Sequence, residues 1–138
     1  MALTSPGGDQ SASVIRARSR YASDGTGGMT SGRTVVQLYQ RLERDIEEAE
    51  AHLLAREIEG AHLALMHAQE IVSALDLALD HQAWDGAEDL SRLYRFVRER
   101  LIAANVAKDP APLVDCRTVI APLSAAWRDS WSLLAEAK

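Results

Sequence analysis

Residues 60–80, GAHLALMHAQEIVSALDLALD, contain more apolar side chains than one buried helix face needs. At 100° per residue, one stripe recurs at three- and four-residue steps, which is the pattern of an amphipathic helix packed on a core. Its members are Ala61, Ala64, Leu65, Ala68, Ile71, Val72, Leu75, Ala78 and Leu79. The stretch therefore predicts a helix, here called helix two, with one continuous buried face.

A second apolar stripe lies nearly opposite the first one. It consists of Leu63, Met66, Ala74 and Leu77, with Glu70 among them. A surface helix normally carries charged side chains there, and burial of a large aliphatic side chain is worth roughly 1.5–3 kcal/mol. Periodicity leaves two interpretations open, because helix two is either central in its own fold or offers the second stripe to a partner.

Three further stretches show the same helical periodicity around helix two. The four predicted helices span residues 33–55, 60–80, 86–107 and 112–136. Short connections between helices of about 20 residues favour antiparallel neighbours. The sequence therefore predicts an all-α fold, an antiparallel up-down four-helix bundle over residues 31–138.

Helices three and four also carry apolar residues beside their main stripes. These residues are Phe96, Ile102, Ala103 and Val106 in helix three, which form a weaker second face, and Val119, Ala126 and Leu133 in helix four. We expect four of them to belong to the same partner-binding groove as the second stripe of helix two, namely Phe96, Val106, Val119 and Leu133. Pro122 falls inside helix four and is expected to kink or shorten it near Thr118.

Residues 1–30 differ from the rest in being rich in Ser, Gly, Thr and Asp. Such a segment buries too little apolar surface to offset the entropy of ordering, so we predict a flexible N-terminal tail. Val14, Ile15 and Tyr21 are its prominent apolar residues. We expect them to act as a cap that partly covers the groove in the free protein.

The overall composition limits the class of protein. A chain of 138 residues with 47% apolar and 25% charged residues suits one globular domain, and a net charge of −5 argues against a nucleic-acid partner. Cys116 is the single cysteine, so no internal disulfide forms and a reducing compartment is expected. No stretch reaches the about 18 apolar residues of a membrane span. We expect a cytoplasmic protein that does not insert into membranes.

No combination of residues predicts catalysis or a bound metal. The four histidines lack the i,i+4 spacing of a zinc pair, and Glu59 with His62 supplies only half of a di-metal carboxylate motif. Cys116 lies on an apolar stripe, as a small core residue does. We therefore expect no enzymatic activity, no metal and no cofactor.

Two alternative functions fit a helical bundle. A histidine phosphotransfer domain would use His62 or His67 as the phosphoryl acceptor, although the residues that follow His62 match such domains weakly. A self-associating structural bundle would pair the second stripe of helix two with another copy, which predicts at least weak homo-oligomers.

Short segments of all four predicted helices form a recognisable pattern. They are Leu38-Tyr39-Gln40 in helix one, residues 68–72 (AQEIV) with Leu75, Leu79 and Asp80 in helix two, residues 90–94 (LSRLY), 98–102 (RERLI), Ala104-Asn105 and Lys108-Asp109 in helix three, and Trp127 in helix four. Taken in this order, these segments resemble the FliS family of flagellar secretion chaperones. Tyr21 lies 18 residues before Tyr39, a separation that suits the N-terminal tyrosine of the family. Gln40 and Arg95 depart from the family pattern, which usually has acidic residues there.

The resemblance implies a function. Members of this family hold the disordered C-terminal segment of flagellin in apolar grooves and prevent its premature polymerisation. The resemblance also implies delivery of flagellin to the export gate, with the N-terminal tyrosine region, here Tyr21, taking part. Recognition of a helix in a groove requires exposed apolar stripes on rigid helices, which the second stripe of helix two supplies.

Overall fold

The computed structural model of the protein describes residues 32–79 and 86–136, with side chains described as far as Ser130. Within these ranges the chain forms four helices and no strand. They are α1 (Gly32–Leu54), α2 (Ile58–Leu77), α3 (Ala87–Ala107) and α4 (Ala111–Glu136). Each helix packs against the next along the chain, and α4 packs against α1 to close the ring. The prediction of an all-α four-helix bundle is confirmed.

The centre of the bundle holds an aromatic cluster from three helices. The ring of Tyr39 on α1 lies 5.9 Å from that of Trp127 on α4 and 6.5 Å from that of Tyr94 on α3, centroid to centroid. The two tyrosine hydroxyl oxygens are hydrogen-bonded to each other at 2.8 Å. All three side chains are fully buried. The cluster therefore pairs the two tyrosine hydroxyls inside the core and connects three of the four helices.

Each of the two connections at one end of the bundle contains a residue in the left-handed backbone conformation. Arg56 follows α1 with φ of 61°, and Lys108 follows α3 with φ of 52°. In both turns the next amide donates to a carbonyl five residues back, from Glu57 to His52 at 2.8 Å and from Asp109 to Ala104 at 3.1 Å. This hydrogen bond is typical of the Schellman motif, which stops a helix and reverses the chain.

The start of α2 and the course of α4 differ from the expectation. α2 begins at Ile58, two residues earlier than predicted, and Glu59 in its first turn suits the positive end of the helix dipole. α4 continues through Pro122, so the expectation that the helix is shortened near Thr118 is wrong, whereas the alternative of a kink there stays a prediction. Pro122 and Thr118 are both exposed, so water can solvate the Thr118 carbonyl that proline leaves without an amide partner.

Several predictions fall outside the described residues. They concern the N-terminal tail, residues 1–30, and the turn at residues 80–85. None of the four described helices is both long and apolar enough to cross a membrane.

Candidate interaction surface

Hydrogen bonds on both flanks of α2 fix its rotation in the bundle. On the α1 side, Nδ1 of His67 contacts the carboxylate of Asp45. On the α3 side, the Ser91 hydroxyl donates to the Asp76 carboxylate at 2.7 Å. On the same side, Nδ1 of His62 lies 3.1 Å from the side-chain nitrogen of Asn105. With its flanks held by two neighbours and one stripe in the core, the remaining side of α2 points away from the bundle.

That remaining side carries the second apolar stripe, and we call it the outward face of α2. It consists of Leu63, Met66, Glu70, Ala74 and Leu77, all of which are exposed. Leu63 is 63% exposed, Met66 40% and Leu77 87%, whereas the members of the first stripe other than the partly buried Ala78 are at most 9% exposed. The interpretation of helix two as a centrally enclosed helix is therefore wrong. The role of these residues in binding a partner stays a prediction.

The outward face continues onto α3 through a residue that the sequence did not single out as a site. Ile102 lies four residues after Arg98, whose guanidinium contacts the Ser73 hydroxyl of α2 at 3.4 Å, so it shares the α2-facing side of α3. The same register places Met66 at the level of Ile102, and both are 40% exposed. Val106, one turn further along α3, is also exposed. The available signal was the position of Ile102 off the main stripe of helix three.

Phe96 and Val119 belong to a different surface of the bundle. Phe96 lies four residues before Arg100, which pairs with Asp115 of α4 at 3.8 Å. Val119 lies four residues after Asp115 and packs partly buried against the core. Both residues therefore line the boundary between α3 and α4, separated from the outward face of α2 by α3 itself. The side chain of Leu133 lies outside the described part of the chain, and so do Val14, Ile15 and Tyr21.

A small cleft opens on the other flank of α2, between α1 and α2. Its volume is about 290 Å³, and it is lined by Thr34, Gln37, Leu38, Arg41, His67 and Ile71. Asp45 is buried beside it, and the Nε atom of Arg41 lies 3.6 Å from the Asp45 carboxylate. Sequence reasoning missed this cleft because periodicity assigns Leu38 and Ile71 to buried stripes without showing where two helices diverge.

The reactive side chains of the described residues are held in structural contacts. Burial raises the pKa of the Cys116 thiol to about 12, and the negative charge of Asp115 adds to this effect. The thiol is therefore neutral and donates toward the Val97 carbonyl at 3.7 Å. His67 contacts Asp45 through Nδ1 and its side chain is 41% exposed, so the phosphotransfer alternative stays open at that position. Across the described ranges, no three His, Cys, Asp or Glu side chains come together as metal ligands.

These features define a class before any comparison with known proteins: a helical bundle that presents an apolar helix face to solvent, the arrangement of a protein that binds another polypeptide. A family model described as flagellar protein FliS matches residues 14–132. The chain belongs to the FliS family of flagellar export chaperones, as its sequence predicted. No curated protein matches it significantly. The family match begins at Val14, so it includes Tyr21 and both neighbouring apolar residues of the N-terminal segment.

Proposed function

We propose that this protein is a cytoplasmic flagellar export chaperone that binds the disordered C-terminal segment of flagellin. Binding would prevent premature polymerisation and assist delivery to the flagellar export gate. The observation that carries the proposal is the exposure of Leu63, Met66 and Leu77 on a helix whose two flanks are fixed by neighbours. Family membership supports the same function.

The spacing of the outward face suits a bound helix. Leu63, Met66, Ala74 and Leu77 extend over 15 residues of α2, which corresponds to about 21 Å at 1.5 Å per residue. A partner helix with apolar residues at i, i+3, i+4 and i+7 can lie along such a stripe. Met66 adds a flexible side chain that adapts to different partner residues.

The second surface, at the boundary between α3 and α4, extends the proposal. A long disordered segment can contact both apolar surfaces of the bundle at once, with the chain between them crossing α3. Phe96 and Val119 would then bind a part of flagellin that follows or precedes the helix on α2. Two linked contacts of moderate strength raise the overall affinity because the second one becomes intramolecular.

Isothermal titration of the full-length chain with the last ~40 residues of flagellin from the same organism tests the proposal. Leu63→Asp places a charge in the apolar contact and should weaken binding at least about tenfold, which corresponds to about 1.4 kcal/mol. Leu54→Asp is the matched control, because Leu54 is 69% exposed. It lies four residues after Glu50, which pairs with Arg117 of α4, and so faces away from α2.

Equal affinities for both variants and the unaltered chain would contradict the proposed site. Sedimentation of the free protein at low concentration distinguishes flagellin binding from another alternative, which is self-association through the outward face. A monomer is expected, whereas a dimer that Leu63→Asp dissociates would assign the outward face to a second copy of the chain.

A further inference from the structure

We propose that the cleft between α1 and α2 is a second binding site, specific for an acidic side chain that stands next to an aliphatic one in a partner polypeptide. The cleft lies beside the outward face of α2 but does not coincide with it. Its lining differs from that face, which contains one carboxylate and no basic residue.

The volume and the apolar floor of the cleft suit one or two side chains of a partner polypeptide. A volume of about 290 Å³ is at the lower limit of the roughly 300–1,000 Å³ of small-molecule pockets, so the cleft accommodates one or two side chains rather than a cofactor. Leu38 and Ile71 provide its apolar part, and both pack against the core cluster or belong to it. An aliphatic side chain inserted there would contact a rigid surface.

The charge distribution around the cleft favours an acidic side chain beside the aliphatic one. The side chain of Arg41 is 56% exposed and that of His67 is 41% exposed, whereas Asp45, which they share, is 5% exposed. The six lining residues include no carboxylate. A guanidinium has five N–H donors, so Arg41 can pair with Asp45 and still receive an external carboxylate. The Gln37 amide adds another donor to the lining.

The position of the cleft indicates how a polypeptide would reach it. Ile71 in the cleft and Ala74 on the outward face are three residues apart on α2, so they are neighbours on its surface. A chain that lies along the outward face can therefore place a side chain in the cleft. Complementary charge selects an acidic segment as the occupant, and this argument does not depend on flagellin being the partner.

A pair of short peptides tests this inference independently of the proposed function. The probes are N-acetyl-Leu-Asp-Leu-amide and N-acetyl-Leu-Asn-Leu-amide, titrated into the isotope-labelled full-length chain and followed by amide chemical shifts. The acidic peptide should shift the signals of Leu38, Arg41 and Ile71. It should bind about three- to fivefold more tightly than its neutral counterpart, as a solvent-exposed ion pair provides.

Variants at two arginines of α1 identify the charge that is responsible. Arg41→Gln should abolish the preference for the acidic peptide, and Arg41→Lys should restore part of it. Arg44→Gln is the matched control, because Arg44 is exposed on the same helix and does not line the cleft. Thermal unfolding of each variant verifies that the bundle is intact. Equal binding of both peptides, shifts confined to other residues, or a preference that survives Arg41→Gln would each overturn the inference.

Discussion

The two apolar stripes of α2 have similar composition and opposite surroundings. Leu65 and Leu63 are two residues apart, yet Leu65 is fully buried and Leu63 is mostly exposed. Helix propensity and hydrophobicity are the same for both leucines, so only the positions of α1, α3 and α4 distinguish them. The comparison shows that an apolar stripe on a helix indicates a contact, and that the neighbouring helices decide whether that contact is internal or external.

This difference should appear most strongly in stability. Leu65→Ala removes a side chain from a packed core and leaves a cavity, so it should lower the free energy of unfolding by about 2–5 kcal/mol. Leu63→Ala removes a side chain that is already largely solvated and should change the same quantity by about 0.5 kcal/mol or less. Urea unfolding followed by circular dichroism measures both. Similar losses for the two variants would mean that the outward face is covered in solution.

Alkaline pH offers a second way to distinguish the interior from the exposed faces. Burial raises the pKa of Tyr39 from 10.0 to about 12 and that of Cys116 from 9.0 to about 12. Both groups are neutral when protonated, so the folded state holds these protons more tightly than the unfolded state does. The contribution of these two groups to the free energy of unfolding is complete below pH 9 and is lost as pH rises from 9 to 12.

For each group, the free energy of unfolding should fall by about 1.4 kcal/mol per pH unit as pH rises from the pKa of the unfolded state to that of the folded state. Urea midpoints at several pH values between 8 and 11 measure this slope. Cys116→Ala is the appropriate control, since it removes the earlier decline that begins near pH 9 and leaves the later one that Tyr39 causes. A slope unaffected by Cys116→Ala would contradict the assignment.

The smallest expected effect concerns the N-terminal segment. We predict that Val14, Ile15 and Tyr21 partly cover the outward face, so deletion of residues 1–30 should remove a competitor and tighten flagellin binding a few-fold, or by about 1 kcal/mol. Calorimetry with the flagellin segment measures the change, and an unchanged affinity would contradict the prediction. Secretion of flagellin is a separate readout, because the same deletion would remove the region expected at the export gate.

Much of this fold follows from periodicity, and so does the surplus of apolar residues on helix two. Side-chain positions every three or four residues define which side of each helix is buried, and this held for Leu65, Tyr94 and Trp127. Periodicity within one helix does not reveal how neighbouring helices are rotated. For this reason the sequence grouped Phe96 with the outward face of α2, and did not assign Ile102 to a site.

Pro122 and the cleft between α1 and α2 differ in how far the sequence predicts them. The effect of proline depends on whether the carbonyl it leaves without an amide partner faces solvent, and Pro122 lies on the exposed side of α4. The cleft depends on the separation of two helix axes beside Leu38 and Ile71. Periodicity along helix four already places Pro122 off the buried stripe, whereas the order of residues along a single helix does not contain the separation of two helix axes.

The packing of α4 against α1 has a consequence for how the protein is made. Arg117 donates to Glu50 at 2.6 Å across 67 residues, and Ser124 donates to Glu43 at 2.8 Å across 81. Contacts between positions so distant form late, since both partners must first be synthesised. During translation α1, α2 and α3 emerge with their apolar stripes open along one side. The faces that α4 covers in the finished bundle therefore stay exposed to solvent until the last quarter of the chain has been synthesised.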